Sequence, residues 1–244
     1  MSRILFLFLM LAGLACTEKE NPVIMIEEPR PENPNKEENK NSELDYLALG
    51  DSYTIGESVE ESKRFPVQLV DRLKAEGFEM QPAKIVARTG WTTDELAAAI
   101  ENEELKESYN LVTLLIGVNN QYRGRSADDY RGEFRKNLQT AIQYAGNKAQ
   151  NVIVISIPDY GVTPFGKSRN PEQIAKEIDE YNAINFQESQ QANVRYVEIT
   201  AISREALNDE TLVASDGLHP SGEMYRRWVE KVLPEAKEIL ESQN

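Results

Sequence analysis

The only histidine of the chain, His219, stands in Ser215-Asp216-Gly217-Leu218-His219-Pro220, three residues after a carboxylate. A serine hydroxyl barely ionises at neutral pH and needs a base to act as a nucleophile. The imidazole that serves as base needs a third group to fix its tautomer and stabilise its cation. Asp216 can fold back on His219 within a single turn, so this segment offers a base with its orienting partner. The serine to match it is Ser52, in Gly50-Asp51-Ser52 at the end of an apolar run. That tripeptide alone is equally a turn ending a strand. What sets it apart is its place where the chain would leave a sheet, at the edge on which nucleophiles sit.

Acyl transfer also needs preorganised donors for a tetrahedral oxyanion. Asn119, in Gly117-Val118-Asn119-Asn120, follows a third apolar run, and its amide is a suitable donor. Gly90, in Arg88-Thr89-Gly90-Trp91, follows the second run and has no side chain to keep its N–H away from a ligand. Seen singly, each also reads as a turn residue. Tyr53, Trp91, Tyr122, Tyr160 and Phe165 are the candidates for walling a substrate pocket, within loops that include 159–167. Arg123 and Arg125 are candidates for contacting an anionic or sugar-bearing leaving group.

These residues must be positioned by the elements between them. Short β-branched runs alternate with helical patterns, the signature of a parallel sheet wrapped by helices. Strands are expected at 44–49, 84–87, 111–116, 152–157 and 194–199. Helices are expected at 65–76, 93–106, 127–145, 171–190 and 222–241. Ser126 and Asp129 are spaced for a reciprocal cap, and Asn170-Pro171 pairs an N-cap with a first-turn proline. Tyr130, Phe134, Leu138, Ile142 and Ala145 share one helical face and read as core. The expected fold class is α/β, a three-layer α/β/α sandwich with a central five-stranded parallel sheet. In such sheets, sites gather at the carboxyl ends of the strands.

Composition narrows the chemistry further. The 244 residues suffice for one core of ordinary size, and a net charge of −14 disfavours nucleic acid as a partner. With one cysteine, Cys16, and one histidine, neither an internal disulfide nor a zinc site of several Cys or His ligands can form. No cofactor or metal is expected, and a monomer is the default.

The first residues, Met1-Ser2-Arg3, precede an apolar run to Ala15 that has signal-peptide length and is too short to span a bilayer. Gly13-Leu14-Ala15-Cys16 resembles the lipobox of bacterial lipoproteins, although Gly13 stands where a branched aliphatic residue is usual. The resemblance implies a signal peptide over 1–15, a lipidated Cys16 and export to the cell envelope with a membrane anchor. Residues 16–43, rich in Glu, Lys, Asn and Pro, read as a disordered tether with a reach on the order of 30 Å. The remainder, 44–244, is the expected folded domain.

From Leu44 onward the chain resembles the SGNH hydrolases, the GDSL-type esterases and lipases, in four blocks that keep their order and spacing. The first block matches Gly50 to Gly56, the second Gly90, the third Gly117 to Asn120, and the last Asp216 to His219. The departure is Asn120, where the family usually has aspartate. The resemblance implies a flavodoxin-like fold, a Ser52–His219–Asp216 triad, and an oxyanion hole formed by the N–H groups of Ser52 and Gly90 with the Asn119 amide. It implies a small-molecule ester as substrate, with small-acyl esters, lysolipid-type esters and O-acetylated sugars as the classes considered. A catalytically silent binding or envelope-assembly lipoprotein on the same fold is the alternative, against which the intact Ser52, Asp216 and His219 argue.

Overall fold

The computed structural model describes residues 43–243. The expected signal peptide, Cys16 and all but the last residue of the expected tether lie outside this range. The five strands are β1 (Tyr46–Asp51), β2 (Lys84–Arg88), β3 (Leu111–Leu115), β4 (Val152–Ile155) and β5 (Arg195–Val197). All pair in parallel, in the order β2-β1-β3-β4-β5. Every residue of β1, β3 and β4 is buried. That follows from their near-continuous apolar sequences, because a parallel sheet is covered on both faces.

Two helices, α2 (Phe65–Ala75) and α9 (Gly222–Glu241), pack together on one face. Three others, α3 (Thr93–Glu101), α5 (Ala127–Tyr144) and α7 (Pro171–Gln191), form the opposite layer. Right-handed crossovers in this strand order put the β1-to-β2 connection on one face and the other three connections on the second, and the final helix packs beside α2. Trp228 of α9 is fully buried, edge-on to Tyr225 at 5.0 Å and near Phe65 of α2 at 6.4 Å. Tyr130, Phe134, Leu138 and Ala141 form the buried stripe of α5. Each such large side chain contributes roughly 1.5–3 kcal/mol by leaving water.

The remaining helices are one turn or little more: α1 (Ser52–Ile55), α4 (Val118–Tyr122), α6 (Pro164–Lys167) and α8 (Thr200–Arg204). Among the described residues no helix is long and apolar enough to cross a membrane.

The expected boundaries shift where side chains intercept the backbone. β1 runs on through Gly50 and Asp51, so Ser52 opens a helix directly. β5 is shorter than expected because Ser156 Oγ accepts from Ile199 N at 2.8 Å and Thr200 N at 3.1 Å, which draws the chain out of the sheet. α3 stops at Glu101 rather than Lys106, and Asn102 Nδ2 closes its end by donating to Ala98 O at 2.7 Å. The cap at Ser126 is one-sided. Its Oγ accepts from Asp129 N at 3.1 Å, but the Asp129 carboxylate takes the Ser126 hydroxyl instead of reaching the backbone. A full reciprocal cap occurs at Thr92 with Glu95, whose extra methylene gives the needed reach.

Candidate active site

Ser52 is the first residue of α1, so its N–H has no acceptor within the helix. Asp51 caps that helix, its Oδ1 accepting from Tyr53 N at 3.0 Å. Gly50 is required by close approach: a Cβ there would fall 2.1 Å from Thr54 Oγ1 and 2.3 Å from the Leu115 carbonyl. The strand-to-helix corner that presents Ser52 thus depends on the glycine two residues before it.

The other end of the chain supplies a tight loop. Val213 and Pro220 bridge in antiparallel fashion, Ala214 N donates to His219 O at 2.7 Å, and Ser221 N donates to Leu212 O at 2.9 Å. Gly217 at the tip has φ +73, a conformation natural to glycine. Asp216 folds back as its spacing to His219 suggests. Its Oδ1 accepts from Leu218 N at 2.9 Å and His219 N at 3.0 Å, while Oδ2 lies 2.6 Å from His219 Nδ1. A carboxylate accepts only, so Nδ1 carries the proton and Nε2 presents its lone pair. Partial burial pushes the Asp216 carboxyl up, but its hydrogen bonds from His219, from the two backbone N–H groups and from Ser58 outweigh burial and hold it at about 2.

Ser58 was not among the residues singled out from the sequence. Its Oγ donates to Asp216 Oδ2 at 2.7 Å, and its backbone is left-handed, with φ +62. A non-glycine residue in that region is strained by roughly 1–2 kcal/mol. Among the described residues, the Ser58 contact is the only side-chain hydrogen bond to Asp216 besides that of His219.

Gly90 has φ +86, and a Cβ there would meet only Arg123 Nη2 at an ordinary 3.9 Å, so the backbone conformation is what calls for glycine. Its carbonyl accepts from Arg123 Nη2 at 2.7 Å, and its N–H has no partner among the described residues. Asn119 Nδ2 donates to the Trp91 carbonyl at 2.9 Å, which fixes the amide plane and leaves its second N–H for another acceptor. Asn120 is wholly buried. Its Oδ1 accepts from Thr93 N at 3.0 Å, while Nδ2 donates to Thr93 Oγ1 at 2.6 Å and to Glu133 Oε2 at 3.1 Å. The amide therefore ties α4, which follows β3, to the start of α3 beside a carboxylate, where an aspartate would be repelled.

Ser52, Gly90, Asn119 and His219 line one pocket with Tyr53, Tyr122, Tyr160, Phe165 and Leu218, enclosing about 200 Å³. Trp91 is not in this lining; its contribution is the carbonyl that orients Asn119. Tyr53 reaches the pocket but is buried, edge-on to His219 at 5.7 Å, so it backs the imidazole more than it meets solvent. Tyr122, Tyr160 and Phe165 form a triangle of rings with centroids 6.2–6.3 Å apart. The loop carrying Tyr160 and Phe165 is pinned. Asp159 caps Gly161 and pairs with Arg204 at 2.9 Å, and Phe165 N donates to Gly217 O at 2.9 Å.

Arg123 and Arg125 are not available to a leaving group as the sequence suggested. Arg123 is paired with Glu95 through both guanidinium nitrogens at 3.1 Å, and Arg125 with Asp94 at 2.7 Å and Glu133 at 3.1 Å. No cluster of three or more potential metal ligands occurs among the described residues.

Solved structures share this fold, three of them as follows. TesA matches with a TM-score of 0.65 and 19% identity, over 81% of this chain and 100% of that one. The lipase/acylhydrolase from Enterococcus faecalis matches with 0.62 and 23%, over 80% and 96%. Axe2, an acetylxylan esterase from Geobacillus stearothermophilus, matches with 0.60 and 21%, over 79% and 94%. Identities this low speak to the fold alone. No curated protein matches by sequence. Residues 48–227, which span all five strands almost completely and every block of the pocket, fit the model of the GDSL-like Lipase/Acylhydrolase family. With most of its length covered by that match, the chain belongs to the GDSL-like lipase/acylhydrolase family.

Proposed function

We propose that the protein is a serine esterase in which Ser52, His219 and Asp216 carry out acyl transfer, with the N–H groups of Ser52 and Gly90 and the Asn119 amide holding the oxyanion. The observation that carries this reading is a single pocket lined by Ser52, Gly90, Asn119 and His219, with the His219 ring anchored on Asp216 at 2.6 Å. Ser52 Oγ attacks the ester carbonyl as His219 Nε2 takes its proton, and the carbonyl oxygen becomes an oxyanion facing the three donors. The intermediate collapses to an acyl-enzyme, and the same proton leaves with the alcohol. Water, deprotonated by Nε2, then releases the acid and restores Ser52.

The pocket measures about 200 Å³ and is walled by Tyr122, Tyr160 and Phe165, which favours a short acyl group over a long chain. Acetyl and similarly small esters are therefore the proposed substrates, including O-acetylated sugars. Axe2 is an acetylxylan esterase, a chemistry of the same size class.

The test is hydrolysis of 4-nitrophenyl esters from acetyl to palmitoyl by wild type and Ser52→Ala, together with fluorophosphonate labelling of each. Turnover highest at acetyl to butyryl, with turnover and labelling both lost on substitution, is the expected result. Undiminished turnover in a folded Ser52→Ala protein sinks the mechanism, and a maximum at palmitoyl sinks the substrate class. Export and anchoring through Cys16 are also proposed, on the N-terminal sequence alone. Cys16→Ser should shift the protein from the membrane to the soluble fraction.

A further inference from the structure

Arg169 lies just beyond the aromatic triangle. Its guanidinium carbon sits 4.3 Å from the centroid of Phe165 and 5.1 Å from that of Tyr122, and Nη2 donates to Tyr122 Oη at 3.0 Å. Both rings line the pocket. Among the described residues Arg169 makes no ion pair, in contrast to Arg123 and Arg125 nearby. Glu177 of α7 forms no ion pair with it; its two carboxylate oxygens accept instead from the amides of Gln121 and Gln173 at 2.7 and 2.6 Å. Arg169 is thus an exposed guanidinium without an ion pair, at the rim of the pocket and stacked on two rings that line it.

The arrangement is also preorganised. Phe165 is held by its backbone bond to Gly217, and Gly166 lets the turn close on Tyr160, since a Cβ there would lie 2.0 Å from the Tyr160 carbonyl. Stacking on two rings restricts the arginine side chain, and the single bond to Tyr122 leaves the other guanidinium N–H groups free. A planar, always-charged fork presented in this way suits a carboxylate or phosphate oxygen pair, and cation–π contact does not consume those donors.

We propose that Arg169 is a specificity residue, and that the pocket takes esters whose acyl or alcohol part carries an anionic group, a carboxylate or a phosphate, at its far end. This rests on the esterase reading above and adds the class of substrate. The anion docks on the guanidinium while the ester carbonyl lies at Ser52, so the charge pairing orients the substrate and selects against its neutral counterpart.

The test compares matched ester pairs: 4-acetoxybenzoate with its methyl ester, for an anion on the alcohol side, and monophenyl succinate with its methyl ester, for an anion on the acyl side. The quantity read is the ratio of kcat/KM, anionic over neutral, at low ionic strength. Wild type should favour the anionic member of at least one pair by tenfold or more. Arg169→Met should bring that ratio to about one, Arg169→Lys should keep part of it, and added salt should reduce it. A ratio near one in wild type for both pairs, or a ratio unchanged in Arg169→Met, overturns the proposal. Equilibrium binding of the same esters to Ser52→Ala protein keeps the two readings apart. A preference for the anion that disappears in Ser52→Ala/Arg169→Met upholds the role of Arg169 even where no variant turns over, whereas hydrolysis without that preference upholds the esterase and rejects the anion site.

Discussion

Ser58 donates its hydroxyl to Asp216 Oδ2, the same oxygen that holds His219 Nδ1, from a position 158 residues away in the chain. The contact completes a carboxylate whose four acceptor positions are all used, and it is made by a residue with left-handed backbone. Strain retained at a contact of this kind points to function.

Ser58→Ala and Ser58→Gly should each lower kcat on 4-nitrophenyl acetate on the order of tenfold, the scale of one hydrogen bond to a charged group. The two variants should differ in stability. Glycine relieves about 1 kcal/mol of backbone strain, so its Tm should equal or exceed that of the alanine variant. Equal kcat in wild type and both variants would reduce Ser58 to a loop residue.

Asn119→Ala should cut kcat by roughly a hundredfold or more while changing KM little, as expected for a donor engaged in the transition state. The Trp91 carbonyl that loses its partner is part of a half-buried loop, so the melting temperature should barely move. Steady-state kinetics beside thermal unfolding separates the two effects.

Asn120→Asp should destabilise the protein at neutral pH, because it sets a second carboxylate about where Nδ2 now lies 3.1 Å from Glu133. Added salt should reduce the loss little, because the pair is partly buried. Glu133→Gln should rescue much of it at pH 7, since an amide can donate to the new aspartate. Chemical denaturation of the single and double variants measures the coupling.

Burial pushes the Asp51 carboxyl up to about 7, against the opposing hydrogen bond from Tyr53 N, and its Oδ2 is buried without a protein partner. The folded chain therefore keeps a proton between about pH 4 and 7 that the unfolded chain has released. Stability falls as pH rises through that window and levels off above it. Asp51→Asn keeps the Oδ1 acceptor and removes the titration. It should flatten the profile and gain on the order of 2–4 kcal/mol at pH 8 relative to pH 4. Urea unfolding at both pH values checks this, and parallel profiles for the two proteins would reject it.

The order of elements was legible in the sequence because each strand is a short apolar run and each long helix shows a periodic face, as with Tyr130, Phe134 and Leu138. Gly90 and Asn119 could be found from their places just past strand ends. The contacts that align these groups were not legible. Ser58 with Asp216, Asn119 with the Trp91 carbonyl and Arg169 over Phe165 join residues by side-chain geometry, and no spacing rule connects them. Arg123 and Arg125 misled for the same reason: Asp94, Glu95 and Glu133, which neutralise them, come from neighbouring helices. The four short α-helices α1, α4, α6 and α8 escaped because one turn is too little for a period to show.

The place of β1 between β2 and β3 gathers Ser52, Gly90 and Asn119 at one edge of the sheet. Ser52, Gly90 and Asn119 follow adjacent strands from the first half of the chain, whereas His219 arrives on a loop next to the last helix. On the proposed assignment, a chain still short of docking that helix has Ser52, Gly90 and Asn119 in place without His219, and it should not turn esters over. Hydrolysis then serves as a gauge of completed assembly: after dilution from denaturant, turnover should return with the docking of α9 and lag behind the recovery of the sheet.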